Sequence, residues 1–403
     1  MPPRPTPPPA PAAEPAPVTP PPPQHEDAHH LPVRFYGMIK PTLVISTKAA
    51  ESFGNPNEGA ITAAGNPVLA PLHATPRATF HVAQSRFGFQ LNEKGHFRGH
   101  VEIDFYDATK STPTVTAVPR VRIVTVDWVP CDEFTLSVGQ DWDLHAPLNP
   151  YTINLVGLSF FSGNTAFMRQ QIKAIVKTSA VELAAAVGIQ APNTTAIDNA
   201  VEISHFPTFA VRAAALVGKT GRIGVSGLAT RITFAQGLPT ERTAGGLAGA
   251  AFADVTPYDA LNVRLEGYIG RNQNNLGMLA LGLGALAADA DELGGFASAR
   301  HVIVKGHAIY ATAGFAQMLN PSEVTPGYAL PAPGAAAVSN GAPGMRWNLS
   351  GRLAYEFDPT EAVAIIAEGF VFQSRHVLQP IDQPRFDSTQ LAPGVEAGLV
   401  YTF

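Results

Sequence analysis

His96-Phe97-Arg98-Gly99-His100-Val101-Glu102-Ile103-Asp104-Phe105-Tyr106 is the stretch on which the fold turns. His96, Arg98, His100, Glu102, Asp104 and Tyr106 alternate with Phe97, Gly99, Val101, Ile103 and Phe105, and a period of two places each set on one face of an extended strand. One face is wet and the other apolar. The split recurs where Asn262, Arg264, Glu266 and Tyr268 alternate with Leu261, Val263, Leu265 and Ile269. It recurs again where Arg346, Asn348, Ser350, Arg352 and Glu356 alternate with Trp347, Leu349, Leu353, Tyr355 and Phe357. Alternation alone does not say which face meets water, because a soluble half-buried sheet turns its apolar face inward.

The joins between such strands follow a rule of long, short, long, short. Short joins fall at Asn92-Glu93-Lys94-Gly95, Pro130-Cys131-Asp132, Thr178-Ser179-Ala180, Lys219-Thr220-Gly221, Pro257-Tyr258-Asp259, Lys305-Gly306 and Asp358-Pro359-Thr360, most of them tight-turn chemistry. Long joins cover about 49–75, 109–118, 146–166, 192–207, 238–246, 274–295, 321–345 and 378–390. Seven short turns and eight long loops imply about sixteen strands with both ends on one side, expected to be periplasmic.

Composition agrees with this count. Of 403 residues 45% are hydrophobic and 15% charged, yet no apolar run is long enough for a spanning helix. The other way to satisfy backbone groups inside a bilayer is a closed barrel of alternating strands. The expected fold is therefore all-β: a transmembrane antiparallel β-barrel over residues 32–403. Charges on several of its strands would line a lumen too wide for side chains to fill.

Residues 1–31 are rich in Pro and Ala and are read as a disordered, semi-rigid periplasmic spacer. They hold no apolar h-region, so a leader is expected to precede Met1, or the start to lie elsewhere. His25, Glu26, Asp27, His29 and His30 admit a metal, but a solvated polar tract explains them as well and is commoner. The net charge of −5 lacks the basic excess that nucleic acid requires. A single cysteine, Cys131, cannot form an internal disulfide.

Enzymatic and cofactor signatures are weak. Gly224-Val225-Ser226-Gly227 fails the spacing of a nucleophile elbow, and the histidines are dispersed without HExxH spacing. Gly282 to Ala287 matches a loose dinucleotide pattern without a βαβ unit. The apolar run Met278 to Ala288 is expected to pack over the barrel mouth or a neighbouring subunit, with a short helix. Neither an enzyme nor a cofactor is expected.

The C-terminus carries Val395, Ala397, Leu399, Tyr401 and Phe403 on one face. With Phe403 last and Tyr401 two before it, this ending resembles the signal read by the barrel-assembly machinery of outer membranes. Ser85-Arg86-Phe87-Gly88-Phe89, Glu102-Ile103-Asp104-Phe105, Gly139-Gln140-Asp141-Trp142 and Arg169-Gln170-Gln171-Ile172 are similar in order and spacing to the DcaP-like trimeric porins of the Gram-negative porin superfamily. The matching pieces lie mainly in 33–178. The resemblance implies a sixteen-stranded homotrimer in the outer-membrane lipid, passing small polar and often anionic organic solutes, with its third extracellular loop folded inward. That loop is about 146–166. The coiled-coil N-terminal segment usual in those porins has no heptad counterpart in this chain.

Channel selectivity comes from charges at a constriction. Arg98 and His100, Arg120 and Arg122, and Arg169 and Lys173 take lumen parities and would form a basic ladder whose guanidinium forks grip carboxylates. Gln171 and Arg352 are placed on the same lining. The competing reading pairs these cations with Glu102, Asp104, Asp141 and Asp143 across the wall, where they only rigidify it. Asp127, Arg231 and Glu368 break parity, at bulges or subunit contacts. In the third loop Tyr151, Phe160 and Phe161 either narrow the lumen or pack the loop on the wall. The channel for passive diffusion competes with a structural or adhesive barrel plugged by its loops, and with a soluble β-sandwich.

Overall fold

The computed structural model describes residues 32–47, 77–82, 84–110, 115–152, 162–165, 168–189, 206–218, 220–234, 242–272, 289–320, 344–378 and 386–403. The Pro-rich tract, its His/Asp/Glu cluster and the run Met278 to Ala288 lie outside these residues. The described residues contain no helix. The strands are β1 (Val33–Ile39), β2 (Thr42–Ser46), β3 (Arg77–His81), β4 (Arg86–Leu91), β5 (Phe97–Lys110), β6 (Val115–Cys131), β7 (Phe134–Trp142), β8 (Met168–Lys177) and β9 (Val181–Gly188). They continue with β10 (Phe206–Val217), β11 (Gly221–Phe234), β12 (Arg242–Tyr258), β13 (Leu261–Arg271), β14 (Asp291–Val304), β15 (His307–Met318), β16 (Gly344–Thr360), β17 (Val363–Leu378) and β18 (Phe386–Thr402).

Two staves of the barrel are each broken once. β1 pairs with β4 and β2 with β3, while β18 pairs with both β1 and β2. The eighteen segments thus make sixteen staves. Pro41 explains the first break, since it has no N–H to give the ladder. Beside it the Lys40 N–H donates to Ser85 Oγ at 3.0 Å, and the Pro41 carbonyl accepts from the Leu399 N–H at 3.1 Å. Each stave runs antiparallel to the next, and β18 returns to the first, so the sheet closes on itself.

All seven expected short turns join consecutive strands, within two residues of the sequence positions. At the opposite end the strands reach further than expected. Residues 242–246, 291–295 and 386–390 are strand. Gly245 and Gly246, for example, pair with Arg231 and Thr230. Their Gly- and Thr-rich composition reads locally as loop, and the neighbouring stave holds them extended, because strand preference depends on what lies alongside.

The faces resolve the ambiguity of the alternation. Val126, Val225, Ile269, Leu353 and Val395 are exposed on the outside, whereas Glu102, Asp104, Arg122, Arg169, Lys173, Arg352 and Glu368 are buried on the inside. This is the reverse of a soluble sheet and suits a lipid-facing wall. The parity break in β6 is a bulge: Glu102 faces Ile123 and Ile103 faces Val121, which leaves Arg122 as the extra residue. Arg122 and Thr125 consequently both lie on the inner face, although their spacing is odd. Glu368 also points inward, beside Arg352.

Tyr401 and Phe403 point outward. The Phe403 ring sits 5.3 Å from Phe35 and 6.0 Å from Phe87, with Phe89 a further 5.2 Å from Phe35. The Phe403 backbone N–H donates to the Gly37 carbonyl at 3.1 Å, and the Gly37 N–H donates back at 3.0 Å. The last residue therefore closes the barrel at the short-turn end and belongs to a patch of aromatic rings suited to a membrane interface.

Candidate functional site

The inner wall of β5 to β8 carries two charged networks. In the first, Asp104 accepts from Arg120 Nε and Nη2 at 3.0 and 2.8 Å and from Arg122 Nη1 at 3.4 Å. Glu102 accepts from Arg122 Nε at 2.6 Å and from the Tyr36 hydroxyl at 3.1 Å, and that hydroxyl also meets His100 Nε2 at 2.5 Å. The Arg122 guanidinium lies 5.5 Å from the centre of the Trp142 ring. In the second network Lys173 bonds Asp141, and Arg169 Nε donates to Asp143 at 2.5 Å. Arg169 Nη1 also reaches the Ile189 carbonyl at 3.0 Å, and Gln171 Nε2 bonds the Trp142 carbonyl at 2.9 Å.

Four cations of the expected ladder therefore have carboxylate partners. Arg98 differs, since its Nε donates to the Gly95 carbonyl at 3.0 Å. Among the described residues Arg98 and Arg86 have no carboxylate within ion-pair distance. Arg352 stands apart from both networks on β16, where Nη1 donates to Glu368 at 2.8 Å and the guanidinium lies 5.1 Å from the centre of the Phe372 ring.

The described parts of the third loop, 143–152 and 162–165, lie along the wall of β9 to β16. Its first part is extended, and alternate carbonyls take a side-chain donor from the barrel. Ser226 Oγ donates to His145, Arg222 Nη2 to Pro147 at 3.1 Å, Arg264 Nη1 to Asn149 at 3.0 Å and Thr312 Oγ1 to Tyr151 at 2.7 Å. Between them the Leu148 N–H donates to Glu266 Oε2 at 3.3 Å. Leu144 packs on Ala184 and Ala210, and Leu148 on Ala214, Phe252 and Phe296. The alanines leave the depth that the leucines fill.

Tyr151 is held on every side. Its N–H donates to Ser298 Oγ and its hydroxyl to Asn262 Oδ1, both at 2.7 Å, while Arg264 lies 4.1 Å from the ring centre and the Tyr310 ring lies tilted against it at 5.6 Å. Burial pushes its hydroxyl pKa up. Phe160 and Phe161 lie outside the described residues. Further on, Ser162 Oγ accepts from Asn348 Nδ2 at 2.6 Å, and Gly163, with φ of 106°, sits directly on the Gly295 carbonyl. At the loop root, burial works to raise the Asp143 pKa, but the Arg169 guanidinium and the His145 N–H hold it below the usual carboxylate value.

The sequence placed Asn262, Arg264 and Glu266 on a wet face but gave no sign that they seat the third loop. Their contacts with the loop span more than a hundred positions. Arg222, Ser298 and Thr312 were missed likewise, with loop partners 75, 147 and 161 positions away.

No family model matches the chain, and no curated protein matches it by sequence. Solved structures do match. The outer membrane channel DcaP of Acinetobacter baumannii superimposes with a TM-score of 0.64 at 13% identity, over 92% of this chain and 97% of that one. An anion-selective porin from Comamonas acidovorans gives 0.53 at 8% identity, over 92% and 99%. OmpT of Vibrio cholerae, in a trimer form, gives 0.52 at 13% identity, over 92% and 99%. At these identities the likeness establishes the fold, which is a DcaP-like barrel of the outer-membrane porin type.

Proposed function

We propose that this chain is an integral outer-membrane porin, a water-filled channel for passive diffusion of small hydrophilic solutes. The observation that carries the reading is the inside-out distribution of polarity in a closed sixteen-stave barrel, with residues 143–152 laid along its inner wall. A lumen lined by charge holds water, and the apolar outside matches lipid. Homotrimeric assembly, delivery by the barrel-assembly machinery through the Tyr401/Phe403 ending, and both chain ends in the periplasm belong to the same proposal. The aromatic patch around Phe403 and the trimer form of OmpT support it.

Within this reading the solutes favoured are anionic organic molecules such as carboxylates. Ion pairing offsets much of the field of Arg120, Arg122, Arg169 and Lys173. The preference therefore rests on Arg86 and Arg98. Planar-bilayer recordings in a salt gradient are expected to show stepwise conductance with an anion-favouring reversal potential. Arg98→Ala should lower the anion-to-cation permeability ratio roughly twofold. A cation-favouring potential would remove the preference, and stable insertion without conductance would replace the channel by a plugged structural barrel.

A further inference from the structure

His145 is wholly buried at the root of the third loop, and neither ring nitrogen has a hydrogen-bond partner among the described residues. Its backbone is fixed at both ends: the N–H donates to Asp143 Oδ1 at 2.9 Å, and the carbonyl accepts from Ser226 Oγ. Neighbouring Leu144 fills the hollow between Ala184 and Ala210. The imidazole is thus sealed under the segment that lays the loop on the wall.

The surroundings suit only a neutral ring. An imidazolium needs acceptors for two N–H groups. The Asp143 carboxylate, two residues away, is engaged by Arg169 Nε and by the His145 N–H itself, and neither ring nitrogen bonds it. Arg169 on β8 adds like charge. On β9 and β10, Glu182 and Arg212 neutralise each other at 2.7 Å, and on β11 Arg222 is turned to the Pro147 carbonyl. Neither ring nitrogen bonds any of these groups in the seated loop, and a buried unpaired charge is costly.

We propose that His145 is a proton-operated catch for the third loop. With a neutral imidazole, residues 143–152 stay seated on the wall; with a protonated one, the segment leaves its seat and obstructs the lumen. The conductance consequence rests on the channel reading, whereas release of the segment does not.

Burial holds the seated imidazole down to about 4, against 6.5 for the ordinary side chain. Once released into water the ring takes its proton near the higher value. The seat is therefore at full strength above pH 6.5, weakens as pH falls, and has lost its contribution by about pH 4. Between neutral pH and pH 4 the ratio of seated to released loop drops about 160-fold, approaching about 300-fold at still lower pH.

Two measurements test the catch. In planar bilayers, closures should appear between pH 6 and 4 and be absent in His145→Phe, with equal conductance at pH 7.5. Hydrogen exchange of the peptide spanning 143–152 should be faster in the natural protein than in His145→Phe when both are held at pH 4.5, with no difference at pH 7.5. His145→Gln provides a second non-titrating variant should the phenylalanine not assemble. Matching pH profiles in natural and substituted barrels, or slow exchange of this peptide at pH 4.5, would overturn the proposal. Absence of conductance at every pH, with exchange behaving as described, would instead count against the channel.

Discussion

Replacing Gly314 by valine should dislodge the third loop from the wall without opening the barrel. Gly314 faces inward on β15, and a Cβ there would overlap the Ser162 carbonyl oxygen and come within 3.0 Å of Ser350 Oγ. Backbone cannot move aside as a flexible side-chain end can, so the returning segment Ser162–Thr165 has to rise. Overpacking of this kind costs about 1–3 kcal/mol. That shifts a two-position equilibrium by about 5- to 150-fold. The expected readout is a lower, broader distribution of single-channel conductance, with the heat-induced unfolding of the barrel little changed. Gly369→Ala on the outer face of β17, where a Cβ meets nothing within 4 Å, should be silent in both measurements. A Gly314→Val channel with natural conductance would mean that the 162–165 contact does not set the width of the pore.

Arg352→Met should cost the barrel about 3–5 kcal/mol, because it strips the guanidinium from a buried carboxylate. The side chains of Arg352 and Glu368 are 1% and 0% exposed, and their ion pair is 2.8 Å long. Glu368 also stands directly opposite Glu396 in the β17–β18 register, so removal of Arg352 brings two carboxylates face to face. Both Glu396 oxygens are themselves buried without a hydrogen-bond partner among the described residues. The double variant Arg352→Met/Glu368→Leu should recover most of the loss, since replacing both members of a buried pair by apolar groups is often neutral. Urea unfolding in detergent micelles, followed by gel mobility, measures the difference. Arg352→Met within 1 kcal/mol of the natural protein would show that water or another cation compensates Glu368.

Much of the candidate site was legible as residue types and faces, and little of it as contacts. Glu102, Asp104 and Arg98 could be placed on one face of β5 from the alternation alone, because successive side chains on a strand must point to opposite sides. That Arg120 and Arg122 would be spent on those carboxylates was one of two open readings. The outcome depended on the bulge at Arg122, which sets the register of β6 against β5. The seat of the third loop was hidden altogether. Arg264 looked like any lumen charge, and Tyr151 like a residue that either narrows the pore or packs, until Arg264 was found over the Tyr151 ring.

The sequence by itself determined the staves, their number and the end of the barrel at which they turn tightly. These follow from a period of two and from turn chemistry, which act within a few residues. It also set the faces of the last strand, including Tyr401 and Phe403. Tertiary structure decided which arginines are spent on carboxylates, and where residues 143–152 and 162–165 lie. Those outcomes depend on closure of the sheet and on the register between staves. Closure brings His145 to Ser226 and Tyr151 to Thr312 across the lumen wall, and no local pattern encodes a distance of that length along the chain.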